Sequence, residues 1–303
     1  VKAFISLAES NSLPIRVYGM LDGNNDELMK HWFARGPLVD KSGFLDIRSI
    51  KVFYDGSLGS RTALMEEPYS DQIGKSLATE RISTKKILQL GRKAADKGFQ
   101  MAVHAIGDKG NNQVLKLYEE ILDTNGIFDH RWRIEHAQVL FPNFYSRAAE
   151  LKVLASMQSS HAVGDSKWAE DRIGSERIQD AYAWQNILKS GVRLLLNSDL
   201  PGEPWKPMET LYFAVNRKPL DGTKESKGWY MNQALTVEEA LKAMTIENAH
   251  GAFQEKKLGS IEINKLADFI IIDQNPLTVV SEDIKNIKIL ETWVSGIKVS
   301  SIN

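Results

Sequence analysis

The sequence predicts an α/β protein built from repeated strand–helix units, either a doubly wound sheet or a (β/α) barrel. Six short apolar runs, at 14–20, 50–54, 99–104, 131–136, 152–157 and 192–198, are near-continuous rather than alternating. Strands buried on both faces read that way. Amphipathic stretches of helical period lie between them, and repeated strand–helix alternation implies right-handed crossovers and a parallel sheet. Reactive side chains sit at the C-terminal ends of several runs, and that placement favours the barrel, whose active sites are built on that face.

The elements follow in order. The chain begins at Val1 with residues that read as helix interior, and 14–20 is the first strand. The spacing predicts a helix over 84–97 that stops at Gly98, a normal helix C-cap. Further helices are expected at 111–122, 142–151 and 176–189, the last ending at Gly191. Thr236 with Glu239 forms a capping box ahead of a helix over 240–253. After Gly251 the pattern changes to short strands at 259–263, 267–273, 287–293 and 297–300, with turns at 265–268 and 273–276. The expected organisation is a barrel over 1–253 and a small β element over 254–303.

Composition narrows the function. With 303 residues, 43% of them hydrophobic, the chain can bury a sizeable core. Its 38 basic and 39 acidic residues give no electrostatic case for binding nucleic acid or a membrane surface. The absence of cysteine removes disulfides, thiolate metal sites and a cysteine nucleophile. No apolar run approaches the roughly 20 residues of a membrane span, and the first ten residues lack the layout of a signal peptide. A cytoplasmic location is the expectation.

The chemistry lies at the strand ends. The runs 99–104 and 131–136 end in His104 and His136, 192–198 is followed at once by Asp199, and 50–54 carries Lys51. One strand–helix unit separates the two histidines, and two separate His136 from Asp199. A single histidine at a strand end is ordinarily a satisfied structural residue; three such ends in phase point to a divalent-metal and general-base set. A lysine inside an apolar strand is costly unless paired, neutralised or modified. Its plain reading is an ion-paired or snorkelling side chain. Its sharper reading is a carboxylated lysine bridging two metals.

Several longer segments resemble the amidohydrolase superfamily and, within it, the YtcJ-like metal-dependent hydrolases of amidohydrolase family 3. Lys51-Val-Phe-Tyr-Asp-Gly-Ser-Leu-Gly-Ser-Arg-Thr-Ala63 resembles that family's fourth-strand segment and substrate loop. Val103-His-Ala-Ile-Gly-Asp108 and Ile134-Glu-His-Ala-Gln138 resemble the fifth- and sixth-strand motifs. Gln158-Ser-Ser-His161, with Asp165 beyond it, resembles the seventh, and Asn197-Ser-Asp-Leu-Pro201 the eighth. Gly259 to Asp268 resembles the tail motif, with Asn264 where glycine is usual. Asparagine tolerates the left-handed backbone that position takes.

The resemblance implies an incomplete (β/α)8 TIM-like barrel in which strands 3 to 8 are present, since Leu13 to Tyr18 matches the third strand. It implies that Lys51 is a carboxylated metal-bridging ligand and that His104 and His136 bind metal. Asp199 would bind metal and take the proton from the attacking water. Arg61, His161 and Gln158 would face a small-molecule substrate of amide type, His161 from a loop shared with Asp165 and Trp168. The implied cofactor is a divalent metal, zinc first, with manganese or iron as alternatives suited to imidazole and carboxylate. The family's His-x-His pair has no counterpart among His31, His104, His130, His136, His161 and His250. Of these, His31, His130 and His250 read as structural or solvated.

The chain therefore reads as the C-terminal portion of a hydrolase of non-peptide C–N bonds, weakly active or inactive alone. An open barrel leaves strand edges to cover, so homo-oligomerisation or association with a missing segment is expected. The alternative is a non-catalytic barrel relic that binds a ligand or regulates a partner. A nucleotide-binding sheet finds little support, because Gly107-Asp-Lys-Gly110 fits neither the dinucleotide fingerprint nor a P-loop.

Overall fold

The computed structural model describes residues 1–72, 78–126, 128–222 and 227–301. The chain divides into two compact units, Val1–Leu154 and Ala155–Asn303.

The first unit runs α1 (Lys2–Glu9), β1 (Val17–Asp22), α2 (Asp26–Arg35), β2 (Leu38–Val39), β3 (Leu45–Phe53), α3 (Thr84–Lys97), β4 (Gln100–Ala105), α4 (Asp108–Asn125), β5 (Arg133–His136) and α5 (Phe144–Glu150). Strands β1, β3, β4 and β5 pair in that order, all parallel, while β2 pairs antiparallel with β3. Ile50, Val52, Met101, Val103 and Ile134 from these strands are fully buried, as the continuous apolar runs require. Helix α3 keeps its expected bounds because both ends are chemically marked. The Ser83 side chain accepts the Lys86 N–H, and Gly98 takes the left-handed conformation that ends the helix. Its buried face is Ile87, Leu90, Gly91 and Ala94, one stripe at helical spacing. Gly91 permits close approach: a Cβ there would lie 2.5 Å from Ile121 Cδ1 on α4. Trp132 fills the core beneath, its indole N–H donating to the Phe99 carbonyl at 3.1 Å.

Strand β3 is longer than the 50–54 run: Asp46 interrupts its apolar pattern but still pairs with Tyr18, and the register with β1 shifts at Arg48 before pairing resumes at Ser49. His130, read from the sequence as structural or solvated, is buried. Its Nδ1 accepts the Trp132 N–H and its Nε2 bonds the Leu151 carbonyl, both at 2.8 Å. Burial holds its pKa below the usual histidine value.

The second unit runs β6 (Leu154–Gln158), α6 (Ser159–Asp165), α7 (Ala169–Arg177), α8 (Trp184–Lys189), β7 (Leu194–Asn197), α9 (Pro207–Asn216), α10 (Val237–Met244), α11 (Ile246–Gly251), β8 (Phe269–Ile272), β9 (Ile289–Val294) and β10 (Ile297–Ser301). Strands β6 and β7 are parallel, and β8, β9 and β10 form an antiparallel sheet. Every one of the six apolar runs thus supplies a parallel strand, and the fold class is the expected α/β with a small antiparallel C-terminal sheet. The capping box is formed in full: Thr236 accepts the Glu239 N–H while Glu239 accepts the Thr236 N–H.

Three element expectations need correction. The helix expected over 176–189 is two pieces, because Tyr182 adopts φ 52° and Ala183 is also non-helical. The helix expected over 240–253 breaks at Thr245, where φ and ψ are −124° and −87°. The 259–263 strand does not form. Ile261 and Ile263 project into solvent at 86% and 92% exposure, so their alternation marks no buried face.

Arg217 closes α9 in the left-handed conformation and is buried. Its guanidinium lies 4.2 Å from the Trp184 ring centroid and 5.4 Å from that of Trp229. It donates to the carbonyls of Trp229 at 2.6 Å and Tyr182 at 3.2 Å. Burial pulls its pKa down to about 9, which still leaves it cationic at neutral pH.

Candidate functional site

In the first unit the parallel register does the positioning. Phe53 lies opposite His104, and Lys51 lies opposite Ala102 one pleat earlier. Alternation along a strand then puts Lys51, Phe53 and His104 on one face. The Lys51 Nζ sits 5.0 Å from the Phe53 ring centroid, and the Phe53 and His104 rings are 5.3 Å apart. Pairing sets His136 opposite Ala105, out of phase with His104. The extended backbone stops there, however, with φ 76° at His136 and 44° at Ala137, and the His136 ring comes within 4.5 Å of the His104 ring, centroid to centroid.

The chemistry of His104 is set by what it touches. Its Nε2 lies 3.0 Å from the Gly56 carbonyl and 3.3 Å from Asp55 Oδ1. A carbonyl can only accept, so Nε2 carries a proton, and in the neutral imidazole the lone pair then lies on Nδ1. That Nδ1 is buried and has no hydrogen-bond partner among the described residues. An orphaned imidazole lone pair beside a second imidazole is a donor set that fits a divalent transition metal.

In the second unit, Gln158 ends β6, and its amide donates to Asn197 Oδ1 at 3.0 Å at the end of β7. Asn197 in turn donates to Ser156 Oγ at 3.1 Å. His161 lies in α6, not in a loop, because that helix starts directly after β6. Its Nε2 is 3.7 Å from Asp199 Oδ2 and 3.5 Å from Glu203 Oε1. Asp199 leaves β7 with φ 56° and keeps half its side-chain surface exposed.

Arg61 occupies the loop after β3, also at positive φ. Its guanidinium is held by both oxygens of Asp71, at 2.9 and 2.7 Å. Three of the seven residues singled out in the sequence, Arg61, His136 and Asp199, therefore hold left-handed backbone. Each such non-glycine position costs on the order of 1–3 kcal/mol and persists where surrounding structure enforces it.

Sequence reasoning missed two carboxylates. Asp55 follows β3 directly, so the strand-end rule that picked out Asp199 also covers it. Glu203 lies within a turn-rich segment and carries no comparable signal.

A family model described as the amidohydrolase family matches residues 1–299. Among curated proteins, the chain is 36% identical over 256 residues to Protein LONG AFTER FAR-RED 3 of Arabidopsis thaliana, covering 84% of this chain and 43% of that protein. It is 31% identical over 299 residues to the putative amidohydrolase YtcJ of Bacillus subtilis, covering 98% and 54%. Among solved structures, an uncharacterized metal-dependent hydrolase from Pyrococcus horikoshii superposes with a TM-score of 0.80 at 30% identity, covering 92% of this chain and 55% of that one. The chain spans about half the length of the relatives it matches.

Proposed function

The chain belongs to the amidohydrolase family, and from that premise we propose that it carries catalytic residues of a metal-dependent hydrolase of amide or other non-peptide C–N bonds. The observation that carries this reading is the His104–His136 pair, whose ring centroids lie 4.5 Å apart and in which His104 Nδ1 is buried with no hydrogen-bond partner among the described residues. Lys51, carboxylated at Nζ, His104, His136 and Asp199 are the proposed ligands, with zinc as the first candidate and manganese or iron as alternatives. The ion, when bound, supplies a lowered water pKa and a polarised scissile carbonyl.

The chain's own residues do the rest. The Asp199 carboxylate takes the proton of the attacking water, and its exposure gives that proton a route to solvent. His161, within 3.7 Å of Asp199 and 3.5 Å of Glu203, orients the carboxylate and contacts the substrate. Arg61 and Gln158 complete the substrate-facing set. Arg61 is already engaged by Asp71, so it presents a fixed guanidinium and not a mobile one. The barrel reading assigns 1–253 to the catalytic domain and 254–303 to a separate β element. A cytoplasmic location and a homo-oligomer accompany it.

The test is hydrolysis of an amide panel by the natural full-length gene product. Asp199→Asn and His136→Ala are expected to abolish turnover; wild-type rates in both would overturn the assignment. The 303-residue chain alone is expected to be weakly active, because it holds no His-x-His pair. Stoichiometric binding of two metal ions by this chain would contradict that expectation.

A further inference from the structure

We propose that Asp55 is a positioning residue that couples the loop after β3 to His104, fixing the tautomer that leaves Nδ1 bare. Asp55 is fully buried, and both of its oxygens are in use. Oδ1 accepts the Ile106 N–H at 3.0 Å and lies 3.3 Å from His104 Nε2. Oδ2 accepts the N–H groups of Gly107 and Leu64, both at 2.9 Å. One carboxylate thus grips the turn between β4 and α4, the far end of the loop, and the edge of the imidazole.

The surroundings are built to the same tolerance. A Cβ on Gly107 would lie 2.0 Å from the Leu64 carbonyl oxygen, one on Gly110 would lie 2.7 Å from Asp55 Oδ2, and one on Gly56 would lie 2.0 Å from Thr62 Oγ1. Leu64 closes the clamp by accepting the Gly110 N–H at 3.1 Å. Loop, turn and imidazole therefore move as one body. The Gly56 carbonyl, next in sequence to Asp55, receives the His104 Nε2–H. Displacing Asp55 displaces that acceptor as well. A ligating histidine is ordinarily oriented by such a bond from its second nitrogen, and loss of the partner costs 10–100-fold in metal affinity.

An isosteric amide cannot replace this group. Oδ1 and Oδ2 both face N–H donors, so either orientation of an asparagine sets an NH2 against one. A simple fold-stabilising role would cost stability without changing the imidazole's proton, and that difference makes the proposal testable. The metal-affinity part rests on the hydrolase reading above; the tautomer part does not.

The experiment compares Asp55→Asn, Gly110→Ala and Asn111→Ala in the natural full-length gene product. Asn111 is the control. Its side-chain amide donates to the carbonyls of Ala105, Gly107 and Val139, and its hydrogen bonds among the described residues do not include His104. Long-range 1H–15N correlation spectra of the metal-free protein, with His104 assigned by His104→Gln, read the tautomer; zinc titration reads affinity. In wild type, His104 is expected to show a protonated Nε2 and a bare Nδ1. Asp55→Asn and Gly110→Ala should mix the tautomers and weaken zinc binding by about 10–100-fold, while Asn111→Ala keeps the wild-type pattern. An unchanged tautomer in both Asp55→Asn and Gly110→Ala overturns the proposal, as does an equal change in Asn111→Ala. Should Asp55→Asn fail to fold, Gly110→Ala, which moves the carboxylate without deleting it, decides alone. A wild type that binds no zinc sinks the hydrolase reading and leaves the tautomer result standing.

Discussion

The two units present their candidate site residues in opposite ways. In the first, Lys51 and His104 lie within strands and His136 ends one; both histidines are buried, and Asp55 clamps the neighbouring loop from a fully buried position. In the second, Asp199 and Glu203 stand on the segment after β7, half and one quarter exposed, against His161 on a short helix. Under the proposed reading, the metal ligands of the first unit sit where hydrogen-bonded strands fix their geometry, and the proposed general base, Asp199, sits where water reaches it.

Substitutions can break this contrast. The largest effect is expected at Asp199. Asp199→Asn should lower kcat by about 10²–10⁴-fold, the range for losing a general base, and reduce metal affinity less than His136→Ala does. Stopped turnover assays with equilibrium dialysis read both quantities, and the reverse order would erase the distinction between the units. Core packing comes next. Trp132→Ala in the first unit should cost about 3–5 kcal/mol in urea denaturation, because its ring is fully buried and its N–H is satisfied. A loss under 1 kcal/mol would show the first unit to be far more plastic than its packing indicates.

The capping box offers a smaller lever in the second unit. Thr236→Ala should cost about 1 kcal/mol, read by the same denaturation. His130 gives the smallest effect, a pH dependence confined to the first unit. Its pKa is depressed by burial in the folded state, so the unfolded chain binds the proton more readily. The resulting stability is present above the usual histidine value of about 6.5 and is lost as pH falls through the lower folded pKa. His130→Gln should flatten the decline in stability as pH falls below about 6.5; an unaltered slope would remove His130 as its source.

Much of the first unit was legible in the sequence. A double-sided apolar run marks a buried parallel strand whatever its neighbours, and Ser83 and Gly98 mark the ends of α3 by local hydrogen bonding alone. Failures cluster where backbone conformation is set by tertiary contact. Tyr182 and Thr245 interrupt helices, yet neither is a residue type that announces a break. Ile261 and Ile263 alternate like strand residues, but they are 86% and 92% exposed and no strand among the described residues pairs with them. Strand-end placement was legible: His104 lies one residue before the end of β4, His136 ends β5 and Asp199 follows β7 by two residues. His161, expected in a loop just past a strand end, lies on the helix that follows β6. Glu203 was hidden because its nearness to His161 depends on how the chain turns after β7.

Arg217 has a consequence for a chain that contains no cysteine. In cation–π contact with two indoles and bonded to two carbonyls, it joins the segments around residues 182–184, 217 and 229. It is in effect a non-covalent cross-link, indifferent to the redox state of its surroundings and reversible on unfolding. Lysine could supply the charge but not the planar face and the divergent N–H groups that the indoles and both carbonyls use together. The staple is therefore specific to guanidinium, and exchanging it for another cation would untie three stretches of backbone at once.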